Sequence, residues 1–185
     1  MVTIRPAVAD DAEAVERVRT RGWQVAYAHL LPAAYLTGLD AQLPVRAERI
    51  RERLLDAPEH RQSYVATADG NGSRVVGFVH VGRYRLDQKV GGPVDSHAGE
   101  VYAIYVDPDA WGTGTGQALM AVGLDWLARR RLRPVRLWVL EGNARARAFY
   151  ERYGFAPDGD AATIAIEQPG QLPIELPELR YALVA

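Results

Sequence analysis

The chain has no cysteine and only one lysine, Lys89, in 185 residues. The first absence removes disulfides, zinc–thiolate sites and a thiol nucleophile together, so covalent catalysis through an acyl-cysteine is excluded. The second leaves arginine to carry nearly all positive charge, which reads as the coding bias of a GC-rich genome and bears on no mechanism. An excess of one charge sign is also lacking. With a formal net charge of −1, no basic field draws nucleic acid to the surface. Charges interrupt every apolar run, and the opening Met1-Val2-Thr3-Ile4-Arg5 lacks the apolar core of a signal peptide. These absences predict a cytoplasmic protein with neither a membrane nor a nucleic-acid partner. His29, His60, His80 and His97 have no metal-ligand spacing, so no metal is expected. Hydrophobic residues make up 48% of the chain, which suits a single globular domain, 1–185, with a sizeable core.

Hydropathy patterning orders the elements. A strand is expected over residues 2–5 and an amphipathic helix over 10–21, with Asp10 and Asp11 at its start. Further helical stretches follow over 22–31, 33–39 and 45–55, the first stopped by Pro32. Residues 63–68 and 75–83 read as a hairpin around Asp69-Gly70-Asn71-Gly72. Residues 86–98, with Gly91-Gly92-Pro93, read as a flexible loop, and strands are expected over 100–106, 135–140, 163–167 and 179–184.

What is present is concentrated in two stretches. In Val106-Asp107-Pro108-Asp109-Ala110-Trp111-Gly112-Thr113-Gly114-Thr115-Gly116-Gln117, a strand rich in β-branched and aromatic residues runs into Pro108, then a glycine loop, then a helix whose Leu119, Val122 and Trp126 share a face. Alternate glycines let backbone N–H groups turn inward as a nest, and the helix adds unpaired N–H groups and its positive dipole end. The natural guest is a phosphate or pyrophosphate. A Walker loop would need Gly-Lys before Ser or Thr, and a dinucleotide fingerprint would need glycine at Gln117, so neither applies. The second stretch is Glu141-Gly142-Asn143-Ala144-Arg145-Ala146-Arg147-Ala148-Phe149-Tyr150-Glu151-Arg152-Tyr153-Gly154-Phe155. Asn143 suits a helix N-cap and Gly154 a left-handed C-terminal cap. Arg145 and Arg147 sit in the first turn, where the dipole disfavours cations unless an anion is near. The plain alternative for Arg147 is an i, i+4 pair with Glu151.

Together the two stretches resemble the GCN5-related N-acetyltransferase superfamily. Its loop pattern falls on Trp111, Gly114 and Gly116, with Trp111 in place of the usual polar side chain. Its second pattern falls on Asn143, Tyr150, Gly154 and Phe155. The resemblance implies an α/β fold with a mixed, mostly antiparallel central sheet, flanked by helices and holding two splayed parallel central strands. It implies acetyl-CoA as cosubstrate, with the pantetheine arm on the backbone of Ile104, Tyr105 and Val106. The pyrophosphate would lie on Trp111, Gly112, Thr113, Gly114, Thr115, Gly116 and Gln117, with Asn143, Arg145 and Tyr150 completing the cofactor site. The partner is then a small-molecule amine acceptor, with a protein or peptide amine, or a non-catalytic acyl-CoA-binding module, as alternatives. A homodimer is left open.

Acyl transfer from a thioester to an amine needs a neutral amine and a proton for the departing thiolate. In the family, a tyrosine at the position of Tyr150 donates a proton or hydrogen bond to the sulfur, with an ordinary core aromatic as the alternative role, and some members place a base glutamate at the position of Glu100, with a solvated strand-end glutamate as the alternative. Regular alternation puts Glu100, Tyr102, Ile104 and Val106 on one strand face, so Glu100 is expected to stand at the head of an otherwise apolar row. Some other members place the base on the later strand at the position of Trp138, which takes no proton. His97, near the strand, is the candidate relay. Trp23, Tyr27, Tyr35 and Tyr84 are candidate walls of an acceptor cleft, with helix-packing core as the competing role.

Overall fold

Each alternating or β-branched stretch forms a strand in the computed structural model, which describes residues 2–56, 58–68, 74–88, 91–168, 170 and 172–184. The strands are β1 (Val2–Pro6), β2 (Arg61–Ala68), β3 (Arg74–Arg85), β4 (Val94–Val106), β5 (Val135–Leu140), β6 (Ala156–Ile166) and β7 (Ile174–Leu183). The helices are α1 (Ala12–Ala26), α2 (Ala33–Asp56), α3 (Thr115–Arg129) and α4 (Ala144–Glu151). One sheet in the order β1-β2-β3-β4-β5-β7-β6 holds all the strands, and only β4 and β5 pair in parallel. This is the mixed sheet the resemblance implied. Among the described residues no helix is long and apolar enough to cross a membrane.

The apolar residues of each helix decide which face it covers. From α3, Leu119, Met120, Trp126 and Leu127 pack with Tyr150 of α4 on Val79, Val81, Val101, Leu137, Val139 and Tyr181. On the opposite face, Ala12, Val15 and Val18 of α1 and Ile50 of α2 cover Val65 and Phe78. A third cluster joins Tyr27, Leu31, Leu36 and Leu39 to Leu140, Ile166 and Leu176.

Two departures from regularity shape the middle of the sheet. First, β4 and β5 pair only at Gly99 with Val135 and Glu100 with Arg136, after which they part. From there β4 stays bonded to β3 as far as Val106, and β5 stays bonded to β7 as far as Leu140. Second, β4 carries a bulge, because Val81 faces Val101 while His80 faces Ala103, leaving Tyr102 as the extra residue. The bulge resets the alternation, so the expected single row is corrected. Val101, Ile104 and Val106 face α3, whereas Glu100, Tyr102, Ala103 and Tyr105 face α1 and α2.

Several expected boundaries also move. The stretches 33–39 and 45–55 are one helix running through Pro44. An interior proline costs about 3 kcal/mol, but burial of Leu36, Leu39, Ala47 and Ile50 on either side, at about 1.5–3 kcal/mol for each large side chain, outweighs one missing bond. The expected loop over 86–98 is strand from Val94 onward, paired to Arg85. β6 starts at Ala156, since Pro157 and Gly159 are accommodated on an irregular edge strand. The turn expected at Asp69-Gly70-Asn71-Gly72 lies outside the described residues.

Gly77 sets how closely α3 approaches the sheet, because a Cβ there would stand 2.9 Å from Leu119 Cδ1 and 3.0 Å from the Tyr105 carbonyl oxygen. The carbonyl cannot yield without disturbing β4. Gly77→Ala should therefore destabilise the fold by about 1–3 kcal/mol, read as a lower urea midpoint with an unchanged slope.

Candidate active site

Where β4 and β5 part, a cleft of about 710 Å³ opens between the two strands. Its walls are residues 100–106 of β4, the glycine loop, α4, the end of β5 and the C-terminal turn of α1. The β4 backbone bonds to β3 on one side only over this span, so its other edge faces the cleft.

The glycine loop is braced from beneath. Asp107 accepts from the Asp109 N–H at 3.0 Å and from Arg21 of α1 at 2.6 Å. The Trp111 indole N–H donates to the Val106 carbonyl at 2.8 Å, and the Thr113 hydroxyl donates to the Ala110 carbonyl at 2.7 Å. Gly112 and Gly114 have φ of +78° and +88°, a conformation that suits glycine. The first α3 bond runs from the Ala118 N–H to the Gly114 carbonyl, and among the described residues no N–H from 112 to 117 donates to another backbone group. A Cβ at Gly112 or Gly114 would meet nothing within 4 Å. Donors without backbone partners, bordering open space at the start of a 15-residue helix, fit a pyrophosphate. Thr113 and Thr115 hold each other at 2.8 Å and Thr115 is fully buried, which leaves their N–H groups as what they offer a ligand.

Asn143 caps α4, its Oδ1 accepting from the Ala146 N–H at 3.0 Å, and its amide also reaches the Tyr27 hydroxyl at 3.4 Å. Arg145 stacks on Trp111, with the guanidinium carbon 4.0 Å from the ring centroid, so the unusual tryptophan serves as a platform for a cation beside the loop. Arg147 turns away from the cleft. It donates to the Tyr181 hydroxyl at 3.0 Å and to the Glu141 carbonyl, and Tyr181 in turn donates to Glu151. The expected direct pair is thus bridged by a tyrosine.

Tyr150 lines the cleft at 8% exposure, and among the described residues its hydroxyl has no hydrogen-bond partner. Burial, reinforced by neighbouring Tyr105, raises its pKa, so it stays protonated at neutral pH. Of the four candidate aromatics, Trp23 and Tyr27 line the cleft, edge to face at 4.9 Å, and Trp23 donates to the Tyr105 hydroxyl at 2.9 Å. Tyr35 and Tyr84 do not. Tyr35 packs with α2 against the third core cluster, and Tyr84 is buried, accepting from Arg180 at 3.1 Å.

Glu100 does not stand free at the head of an apolar row. It is 1% exposed and gripped by Arg85, whose Nη2 donates to Oε1 at 2.5 Å while its Nε and backbone N–H donate to Oε2 at 3.2 and 2.9 Å. His97 is exposed and lies outside the cleft lining, so it relays nothing there. Two residues of the cleft escaped sequence reasoning: Arg85 and Glu178, the latter on β7 opposite Leu140. Among the described residues the Glu178 carboxylate has no hydrogen-bond or ion-pair partner. Burial raises its pKa, opposed by the Arg85 charge. An acid in an otherwise alternating segment was the available signal, but the register of β7 on β5 is not written locally.

Comparison with known proteins agrees with this geometry. The Acetyltransferase (GNAT) family matches residues 23–155. The uncharacterized N-acetyltransferase YuaI of Bacillus subtilis (strain 168) is 29% identical over 83% of this chain and 79% of its own. The mycothiol acetyltransferase of Nocardioides sp. is 34% identical over 86% of this chain, which spans about half (51%) of that relative's length. Among solved structures, the PaiA N-acetyltransferase of Thermoplasma acidophilum in complex with coenzyme A superposes with a TM-score of 0.72 at 16% identity, covering 99% of both chains. The ribosomal-protein-S18-alanine N-acetyltransferase of Escherichia coli superposes with a TM-score of 0.63 at 21% identity, covering 99% of this chain and 93% of its own. A splayed parallel strand pair, a donor-rich glycine loop and a family match over 133 of 185 residues (23–155) lead to one conclusion: this chain belongs to the Acetyltransferase (GNAT) family.

Proposed function

We propose that the protein transfers the acetyl group of acetyl-CoA directly to a primary amine of a small molecule. The observation that carries this reading is one cleft holding both a row of unbonded loop N–H groups and the partner-free hydroxyl of Tyr150. The N–H groups from Gly112 to Gln117, with Arg145 on its Trp111 platform, hold the pyrophosphate. The free edge at Ile104, Tyr105 and Val106 takes the amide-bearing pantetheine arm. When bound, acetyl-CoA supplies the activated acetyl thioester. Tyr150 donates its proton to the sulfur that leaves, and Asn143 keeps α4 and Tyr27 in register for this. A small acceptor is favoured over a protein amine because Trp23, Tyr27 and Trp138 line the cleft with aromatic rings suited to a compact apolar or cationic body. An idle acyl-CoA-binding module would have no use for an unbonded, protonated tyrosine hydroxyl at that place.

Gly114→Val imposes a β-branched side chain on a φ of +88° and narrows the approach to the loop. Calorimetric titration should show CoA affinity weakened by more than about 1.4 kcal/mol, or roughly tenfold. A folded variant with unchanged affinity would show that the loop does not hold the phosphates.

Tyr150→Phe removes only the hydroxyl. Turnover, followed as free CoA released with pooled amines or with peptides as acceptor, should fall roughly ten- to a thousandfold while CoA affinity stays put. Equal turnover would make water the proton donor, and turnover confined to peptides would make a protein amine the acceptor.

A further inference from the structure

We propose that Glu178 is the catalytic base, taking the proton from the acceptor's ammonium group at the mouth of the β4–β5 gap. This rests on the acetyl-transfer reading above and names a residue within it. The cleft is lined by two carboxylates among the described residues, Glu100 and Glu178. Both oxygens of Glu100 are taken by three donors of Arg85. A carboxylate so held gives up a buried ion pair if it accepts a proton, leaving Arg85 as an uncompensated charge. Among the described residues Glu178 carries no such bond. Its backbone pairs with Leu140 at the last residue of β5, directly before the turn into Asn143 and α4, so it is fixed on the wall opposite β4 and at the same end of β5 as the helix that bears Tyr150.

The groups around it leave no competing acceptor of equal standing. From β3 comes Arg85, a cation that favours the ionised carboxylate without bonding to it. From β4 come Glu100, already paired, with Tyr102 and Tyr105, and from the end of α1 comes Tyr27. Burial pushes Tyr102 up to about 12 and raises Tyr27 and Tyr150 as well, so these three phenols hold their protons. On β5 and β6 the facing side chains are Trp138, Leu140, Ile164 and Ile166, which do not titrate. Further along β7, Arg180 is engaged with Asp158, Asp160 and Tyr84. Burial also raises the Glu178 carboxyl, which brings it toward the range in which a base both ionises and accepts.

The protons balance. The ammonium gives one proton to Glu178, and the neutral nitrogen forms its bond to the acetyl carbon as the carbon–sulfur bond breaks. Sulfur leaves with the Tyr150 proton. The second nitrogen proton passes to Tyr150 through solvent, and Glu178 releases its own to solvent, so one amide, one thiol and one free proton result.

The test is Glu178→Gln, with Glu100→Gln beside it, assayed with acetyl-CoA against phenethylamine, hexylamine and glycinamide across pH. With the best acceptor, Glu178→Gln should lower kcat/KM roughly a hundredfold near neutrality. The deficit should shrink as alkaline pH deprotonates the amine without help, and CoA affinity should not change. Glu100→Gln, which uncovers the Arg85 charge, should keep the base-dependent limb of the profile and move it toward lower pH, since that charge favours the ionised Glu178. Urea unfolding gives a readout independent of activity. A carboxyl whose pKa is raised on folding stabilises most at low pH, and that contribution is lost as pH rises through its folded value, so Glu178→Gln should gain stability relative to wild type between acid and neutral pH. A Glu178→Gln profile identical to wild type, or a deficit equal at every pH, overturns the assignment while acetyl transfer itself stands. Wild-type protein that releases no CoA with any amine or peptide overturns both.

Discussion

Two parallel strands that pair for two residues and then separate impose a debt of unbonded backbone on the middle of this sheet. Among the described residues, the β4 edge facing β5 has no strand to bond from Val101 onward, and the helix and loop that follow β4 likewise present N–H groups with no backbone acceptor. Buried polar backbone that goes unpaired costs free energy of the order of a lost hydrogen bond for each group. The fold keeps these groups at the wall of an open cleft, where water or a ligand can pair them. The rest of the molecule holds that gap open: the α3 cluster clamps β3 and β4 from one face, the Tyr27–Leu140 cluster ties β5, β6 and β7 to α1 and α2 on the other, and Asp107 with Arg21 pins the loop to α1.

The bulge at Tyr102 decides what the gap contains. By shifting the alternation of β4 it sends Glu100, Tyr102 and Tyr105 to the face of α1 and α2, where Arg85 closes on Glu100 and its guanidinium carbon lies 4.6 Å from the Tyr102 ring centroid. Among the described residues, Arg85, Arg145 and Arg152 line the cleft. Arg145 rests on Trp111 beside the loop, while Arg85 is largely neutralised by Glu100.

How much of this is legible in the residues follows from how local each signal is. The glycine loop, the Asn143 cap, the Gly154 cap and the placement of Tyr150 are set within a few residues of chain, and each appears where local chemistry puts it. The mixed sheet with its parting strands came from resemblance to a family. The surroundings of Glu100 differ from the expected apolar row because a bulge interrupts the period-2 rule, and because Arg85, fifteen residues earlier, becomes its neighbour only through strand pairing. The place of Glu178 in the cleft wall depends on pairing with Leu140, 38 residues before it (178 − 140), a relation no local pattern encodes. The single helix through Pro44 was likewise hidden, as the core contacts that hold it come from elements distant in sequence.

Arg145 rests on the Trp111 ring, and among the described residues no carboxylate pairs with it. An ion-pair partner would neutralise the guanidinium and would have to be displaced whenever an anion arrived. An aromatic face restrains the side chain while leaving its charge and its donors available. Arg145 is therefore already ordered with its charge unpaired, so on the proposed reading one nucleotide-bearing ligand can replace another without the protein first breaking a bond to itself. On the proposed reading, the tryptophan that departs from the family's usual residue leaves exchange at the phosphate site to ligand and solvent alone.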